Sequence, residues 1–94
     1  MDIVVYAAQH GIAVDYFQMQ AKGFCLKDEG RYYIAVNAHL PNSEKMEVIL
    51  HELGHIMTGS DYTESVSESE RIRNEQNAIS WAKANRRRFT LSQI

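Results

Sequence analysis

The segment EKMEVILHELGHIM, residues 44–57, constrains the fold more than any other part of the chain. Its apolar side chains recur at spacings of three and four residues, which is typical of a helix with one face buried in a core. These side chains are Met46, Ile49, Leu50, Leu53 and Met57. We predict a helix over residues 43–58, and this helix also carries His51, Glu52 and His55, polar residues that burial alone does not require.

Two histidines four residues apart on a helix lie one turn above each other, so His51 and His55 point toward one place. Zinc binds neutral imidazole nitrogens at about 2.0–2.1 Å, and this spacing supplies two of them without bending the backbone. Glu52 is rotated by about 100° from His51, too far to be a natural third ligand, but it can reach a water at the metal. This is the arrangement of the H-E-x-x-H zinc hydrolases, in which the glutamate is the general base. The alternative is an amphipathic helix whose polar face carries two histidines by coincidence.

A catalytic zinc site needs a third protein ligand as well as an open position for water. Glu75 is the candidate, because it lies in register with the apolar stripe of a second predicted helix, residues 65–86. That stripe consists of Ile72, Ala78, Ile79 and Ala82. A carboxylate in such a stripe is costly to bury unless it is paired or bound to a cation. In the alternative interpretation, Glu75 is half exposed and pairs with Arg71.

The remaining segments predict a short first helix and a β-hairpin. Residues 1–10 are apolar on one face and end at Gly11, which is a common helix terminator. Residues 23–38 alternate in polarity on both sides of an Asp-Glu-Gly turn, whereas the preceding IAVDYFQM is compatible with a strand or a helix. We therefore predict a single α+β domain over residues 1–94. Its small antiparallel sheet packs on the H-E-x-x-H helix and on the following helix that bears Glu75.

The composition excludes several classes of protein. A chain of 94 residues with a formal net charge of −2 has no general attraction to nucleic acid or anionic membranes, so we expect neither as a partner. No apolar run is long enough to cross a bilayer, and the N-terminal region lacks the pattern of a signal peptide. Cys25 is the single cysteine and cannot form an internal disulfide, which favours a reducing compartment. We expect a cytoplasmic protein.

Four stretches of the chain together resemble the ImmA/IrrE family of small metallopeptidases, which are common in phages and mobile elements. The stretches are GIAV, YYIAVNAHLP, EKMEVILHELGHIM and NEQNAISWA, and the resemblance covers roughly residues 8–84. The discriminating part is a glutamate followed by alanine and then by an aromatic-alanine pair. Here these residues are Glu75, Ala78, Trp81 and Ala82. The chain departs from the usual family pattern at Asn77 and Ile79, which flank that first alanine, and in having Trp81 in place of phenylalanine.

The resemblance implies a minimal zincin fold in which His51, His55 and Glu75 bind one Zn²⁺ ion and Glu52 is catalytic. It implies a zinc-dependent endopeptidase whose substrate is a transcriptional repressor of a phage or mobile element. In such a mechanism Glu52 takes a proton from water as the water attacks a peptide carbonyl. Tyr62, in the polar segment after the first metal-binding helix, is a possible transition-state stabiliser, or simply a surface tyrosine.

Two other functions compete with proteolysis. The first is a non-catalytic regulator that keeps the zincin fold and binds a repressor or another partner. Family members commonly continue beyond the point where this chain ends, which favours that alternative, whereas the intact Glu52 argues against it. The second is a DNA-binding regulator, which rests only on the run Arg86, Arg87 and Arg88, and the sequence has no convincing helix-turn-helix.

Overall fold

The computed structural model describes residues 1–59 and 67–92. In chain order the elements are α1 (Ile3–Gln9), β1 (Ile12–Phe17), β2 (Gly23–Asp28), β3 (Arg31–Asn37), α2 (Asn42–Met57) and α3 (Glu68–Asn85), followed by a 3₁₀ helix over Arg86–Arg88. The predicted α+β class is confirmed, and the segment IAVDYF that the sequence left open is a strand. Within the described residues, no helix is both long and apolar enough to cross a membrane.

The three strands form a mixed sheet in the order β1-β3-β2. The central strand β3 pairs antiparallel with β2 but parallel with β1, so the prediction of an antiparallel sheet is wrong for one of its two pairings. The reason is the connection over residues 18–22, which crosses the end of β3 before β2 begins. The backbone amide of Ala38 donates to the Phe17 carbonyl, and that of Asn37 donates to the Lys22 carbonyl. Both bonds are 2.8 Å long. The hairpin then returns β3 to the middle of the sheet, alongside β1.

The side chain of Asn37 holds this crossing in place. Its amide nitrogen donates to the carbonyls of Met19 and Ala21 at 2.9 and 3.1 Å, and its Oδ1 accepts from the amide of His39 at 2.9 Å. Asn37 is 9% exposed, so each of these bonds satisfies a polar group that water barely reaches. In the sequence, Asn37 is simply a polar residue at the end of an apolar strand, and nothing there predicts that it holds the crossing in place.

The core lies between one face of the sheet, α1 and α2. Its buried apolar side chains are Ile3, Ala7, Ile12, Ile34, Val36, Ile49, Leu50, Leu53 and Phe89. Helix α3 packs mainly against α2, and its partly buried Trp81 and Ala82 pack against the core. Its buried apolar face is narrower than predicted. Ala78 is fully buried, but Ile72 and Ile79, which we placed in the buried stripe, are each 53% exposed.

The helix starts differ slightly from the predicted ones. Helix α2 begins one residue earlier than expected, and no side chain caps its first turn. Helix α3 begins at Glu68 rather than at residue 65, and the Ser67 hydroxyl accepts from the amide of Glu70 at 3.2 Å. Ser67 therefore supplies the N-cap, because its oxygen satisfies one of the amides that lack a partner in the first helical turn. Ser65, at which the predicted helix begins, lies outside the described residues.

Helices α2 and α3 approach each other closely at Gly54. A Cβ atom built on Gly54 would lie 2.6 Å from the carbonyl oxygen of Ala78 and 3.2 Å from its Cα. Real side chains do not occupy such a position, so the glycine permits direct contact between the two backbones. Glu75 lies one turn before Ala78 on α3, and the contact therefore brings its carboxylate toward the histidines of α2.

Gly54→Ala is expected to lower the free energy of unfolding by about 1–3 kcal/mol, because the added methyl group overpacks the contact between α2 and α3. Helix propensity alone would favour alanine by up to about 1 kcal/mol, so the sign of the change tells which effect is larger. Urea denaturation followed by circular dichroism measures the change. Gln76→Ala, on the exposed face of α3, is the control and should shift stability by less than about 0.5 kcal/mol. A more stable Gly54→Ala variant would contradict the close contact.

Asp2 connects the start of α1 to the C-terminal segment. One carboxylate oxygen accepts from the amides of Val4 and Val5 at 2.8 and 3.0 Å, and the other accepts from the amide of Ser92 at 2.7 Å. Partial burial on its own raises the pKa of Asp2, but these hydrogen bonds outweigh it, so the pKa lies below its usual value. The ionised carboxylate therefore stabilises the fold.

Asp2→Ala is expected to lower the free energy of unfolding by about 1 kcal/mol near neutral pH, which is typical for loss of an N-cap. Because the folded-state pKa is depressed, the stabilisation is present above the unfolded-state pKa of about 4 and disappears as the pH falls through the folded-state value. Urea titrations near neutral pH and near pH 2 compare the variant with wild type. Asp15→Ala, at an exposed position of β1, is the control. The same loss at both pH values would exclude the ionised form as the cause.

Candidate metal centre

His51, His55 and Glu75, the three residues that the sequence singles out as ligands, lie together where α2 and α3 pack. The Nε2 atoms of His51 and His55 are 3.2 Å apart. The carboxylate of Glu75 spans both rings, with Oε2 3.1 Å from the Nε2 of His51 and Oε1 3.0 Å from the Nε2 of His55. Among the histidine, cysteine, aspartate and glutamate side chains of residues 1–59 and 67–92, His51, His55 and Glu75 form a group that lies close enough together to share an ion.

The spacing of these atoms fits a small divalent cation. Ligand atoms at about 2.0–2.1 Å from a tetrahedral ion stand about 3.3 Å apart. The two Nε2 atoms here are 3.2 Å apart, and the Glu75 carboxylate approaches them with different oxygens, at 3.1 and 3.0 Å. One ligand atom from each of the three residues lies within 4.8 Å of the other two. Two imidazole nitrogens and one carboxylate oxygen form the donor set of many catalytic zinc sites. The cluster can therefore hold one metal ion with little rearrangement of its side chains.

Burial is uneven around the cluster. The His55 side chain is 2% exposed, whereas those of His51 and Glu75 are 37% and 36% exposed. One candidate ligand is thus fixed within the packed interior, and the other two border solvent. A catalytic metal needs an open position that water or a substrate can occupy, and the solvent-exposed side of this cluster is where such a position would lie.

Glu52 lies on α2 beside His51 but faces the sheet. It lines two cavities together with Gly23, the first residue of β2. Burial raises the pKa of the Glu52 carboxyl, His55 and His51 oppose this, and the carboxylate of Glu75 adds to it. A raised pKa makes the carboxylate a stronger base, and a pKa nearer the working pH lets one group serve first as base and then as acid.

Strand β2 forms one wall of the centre. A Cβ atom on Gly23 would lie 2.4 Å from Cγ1 of Val48 on α2, so the glycine lets the start of the strand lie directly against that helix. The first cavity, of about 500 Å³, lies between this point and α3. The second, of about 200 Å³, is lined on β2 by Cys25 and Lys27 and elsewhere by Glu52, His55 and Tyr32. The alternation of the hairpin could have shown that Cys25 and Tyr32 share a face, but not that α2 packs on it.

One candidate from the sequence has no described position, and another histidine of the chain is not part of this centre. Tyr62, the possible transition-state stabiliser, lies outside the described residues. His39 follows β3 and is exposed, and it is not among the residues that could share the ion. The predicted ligand set and Glu52 are adjacent to one another, whereas the walls around them come from residues that the sequence did not single out.

The comparisons agree with this geometry at the level of the family. The family model Peptidase_M78, the IrrE N-terminal-like domain, matches residues 7–91, a span that includes every residue of the candidate centre. No curated protein and no solved structure matches the chain. The resemblance to the ImmA/IrrE family that the sequence motifs indicated is confirmed. The chain belongs to the peptidase family defined by the IrrE N-terminal-like domain.

Proposed function

We propose that this protein is a zinc-dependent endopeptidase in which His51, His55 and Glu75 hold one zinc ion and Glu52 is the general base. The observation that carries this proposal is the convergence of two Nε2 atoms and one carboxylate within 3.0–3.2 Å of each other, with Glu52 alongside. The membership of a peptidase family supports the reaction class.

The residues of the chain have separate tasks in the proposed reaction. Zinc, when bound, polarises the peptide carbonyl and lowers the pKa of water. Glu52 takes the proton from the attacking water and returns it to the departing amine. Its half-buried position serves both steps, because desolvation disfavours the charged carboxylate and so strengthens it as a base. Glu75 and the two histidines remain ligands throughout.

The outer edge of β2 offers a place for the peptide substrate. In the described part of the chain, β2 is paired on one side only, with β3. Its other side presents backbone N–H and C=O groups that an extended peptide can pair with. Because Glu52 and His55 border this strand, a paired peptide would lie across the metal centre.

The substrate we propose is a transcriptional repressor of a phage or mobile element, and the setting is the cytoplasm. The repressor is inferred from the family resemblance, and the cytoplasm from the single cysteine, which favours a reducing compartment. A regulator that only binds its partner has no use for a half-buried carboxylate beside the metal ligands. Glu52 therefore favours the catalytic function over the non-catalytic alternative.

Glu75→Ala is expected to abolish stoichiometric zinc binding, because only the two histidines remain as ligands. The loss of affinity should exceed the roughly 10–100-fold that follows removal of a hydrogen-bond partner behind a metal ligand. Elemental analysis after dialysis and titration against a zinc chelator measure it. Glu68→Ala removes an exposed carboxylate from the first turn of the same helix and serves as the control. Equal zinc content in both variants would exclude Glu75 as a ligand.

Glu52→Gln is expected to keep zinc and to slow peptide hydrolysis by at least about 100-fold, because the amide cannot accept the proton. Cleavage of labelled casein and of a quenched peptide library gives the rate, and elemental analysis gives the zinc content. Glu44→Gln makes the same change at an exposed site on α2 and should leave both unchanged. Hydrolysis by Glu52→Gln at the wild-type rate would show that another group is the base.

A further inference from the structure

The larger of the two cavities is a groove that opens directly beside His51 and Glu52. It has a volume of about 500 Å³ and lies between α2, α3 and the start of β2. We call this cavity the α2–α3 groove. It has enough room for at least one large side chain, and none of its lining residues has been given a task in the proposed reaction except those two.

The walls of the α2–α3 groove are aliphatic. Val48 and Leu50 contribute from α2, and Ile79 and Ala82 contribute from α3. Leu50 is 1% exposed and belongs to the core, whereas Ile79 is 53% exposed. An aliphatic side chain entering the groove would cover Ile79 and rest on the fixed surface formed by Leu50. Burying a side chain of this kind contributes about 1.5–3 kcal/mol.

The rim of the groove is positively charged, although the whole chain has a formal net charge of −2. Its charged residues away from Glu52 are Lys22, Lys83, Arg86 and Glu47. The acid among them, Glu47, pairs with Arg86. Within residues 1–59 and 67–92, no ion pair engages Lys22 or Lys83. Two ammonium groups thus remain available to an acidic partner beside an aliphatic pocket.

The course of β2 decides which side of the cleaved bond the groove receives. The groove touches β2 at Gly23, its first residue, whereas the smaller cavity extends along the strand from Gly23 through Phe24 and Cys25 to Lys27. Strand pairing is slightly more stable when antiparallel. A peptide paired antiparallel with β2 therefore runs from the Lys27 end toward the Gly23 end. Its residues on the carboxyl side of the scissile bond then lie at the groove.

We propose that the α2–α3 groove selects substrates with a large aliphatic residue immediately after the cleaved bond, followed by an aspartate or glutamate. This inference rests on the proposed endopeptidase function and specifies its substrate. Ile79 and Ala82 contact the aliphatic side chain, and Lys22 and Lys83 attract the acidic one. Val48 and Leu50 set the depth of the pocket.

Binding to a variant that cannot turn over tests the preference without hydrolysis. Zinc-loaded Glu52→Gln is titrated into fluorescein-labelled, C-terminally amidated peptides. The peptides differ only at the two positions under test, which are occupied by Leu-Glu, Leu-Lys or Ala-Glu. Fluorescence anisotropy should give at least about tenfold tighter binding to the Leu-Glu peptide than to either other peptide, equivalent to about 1.4 kcal/mol. Equal affinity for the three peptides overturns the proposal.

Paired substitutions on α3 assign the preference to the groove. In the Glu52→Gln background, Ile79→Ser should weaken binding of the Leu-Glu peptide at least about fivefold. Lys83→Glu should shift the preference from Leu-Glu toward Leu-Lys, because a cation at the rim becomes an acid. Ile72→Ser and Arg73→Glu are the matched controls, since Ile72 is also 53% exposed on α3 and neither residue lines the groove. Equal effects of controls and groove variants overturn the proposal. The zinc content of each variant is measured in parallel.

Cleavage by the wild-type protein separates this inference from the proposed function. Mass spectrometry of a digested peptide library should show an aliphatic residue after the cut and an acidic residue after that. Cleavage without regard to these positions overturns the groove's role and leaves the endopeptidase function standing. Selective binding of the Leu-Glu peptide by a zinc-loaded protein that cleaves nothing supports the groove and overturns the endopeptidase function.

Discussion

The contact between the backbones of α2 and α3 at Gly54 and Ala78 sets the geometry of the candidate centre. His55 follows Gly54 directly, and Glu75 precedes Ala78 by one turn, so each ligand lies within about 5 Å of this contact along its helix axis. Metal–ligand distances tolerate deviations of only about 0.2 Å. A single methyl group at Gly54 would separate the helices by more than that. The smallest residue in the motif therefore matters as much to the ligand set as the histidines do.

The same contact explains how metal binding and folding depend on each other. In the described structure, Ala78 is the one fully buried residue of helix α3, and Trp81 and Ala82 are partly buried against the core. An ion held by residues of both helices would add a further link between them. Any ligand that binds the folded chain more tightly than the unfolded chain stabilises it in proportion to the logarithm of ligand concentration. The metal would thus help to position the helix that supplies its third ligand.

The sequence predicts the centre better than its surroundings, and the reason is physical. The positions of His51, Glu52 and His55 depend on local helix geometry, and Glu75 could be placed from its register with Ala78 on the next helix. The parallel pairing of β1 depends on a crossing held by Asn37, which no local pattern contains. Ile79 fits an apolar stripe, but its exposure depends on how far α3 is rotated against α2. Grooves arise between elements, so their walls appear only once those elements are packed.

In the described part of the chain, β2 is paired on one side only, and this has a second consequence. The backbone groups of an edge strand can pair with β2 of another copy, and exposed edge strands are common starting points for aggregation. Lys27 and Asp28 are exposed at the end of this strand, and charged side chains at such positions oppose edge-to-edge stacking. Phe24 and Leu26, about half exposed on the strand, act in the opposite direction. The same short strand that borders the candidate metal centre therefore influences colloidal behaviour at high protein concentration.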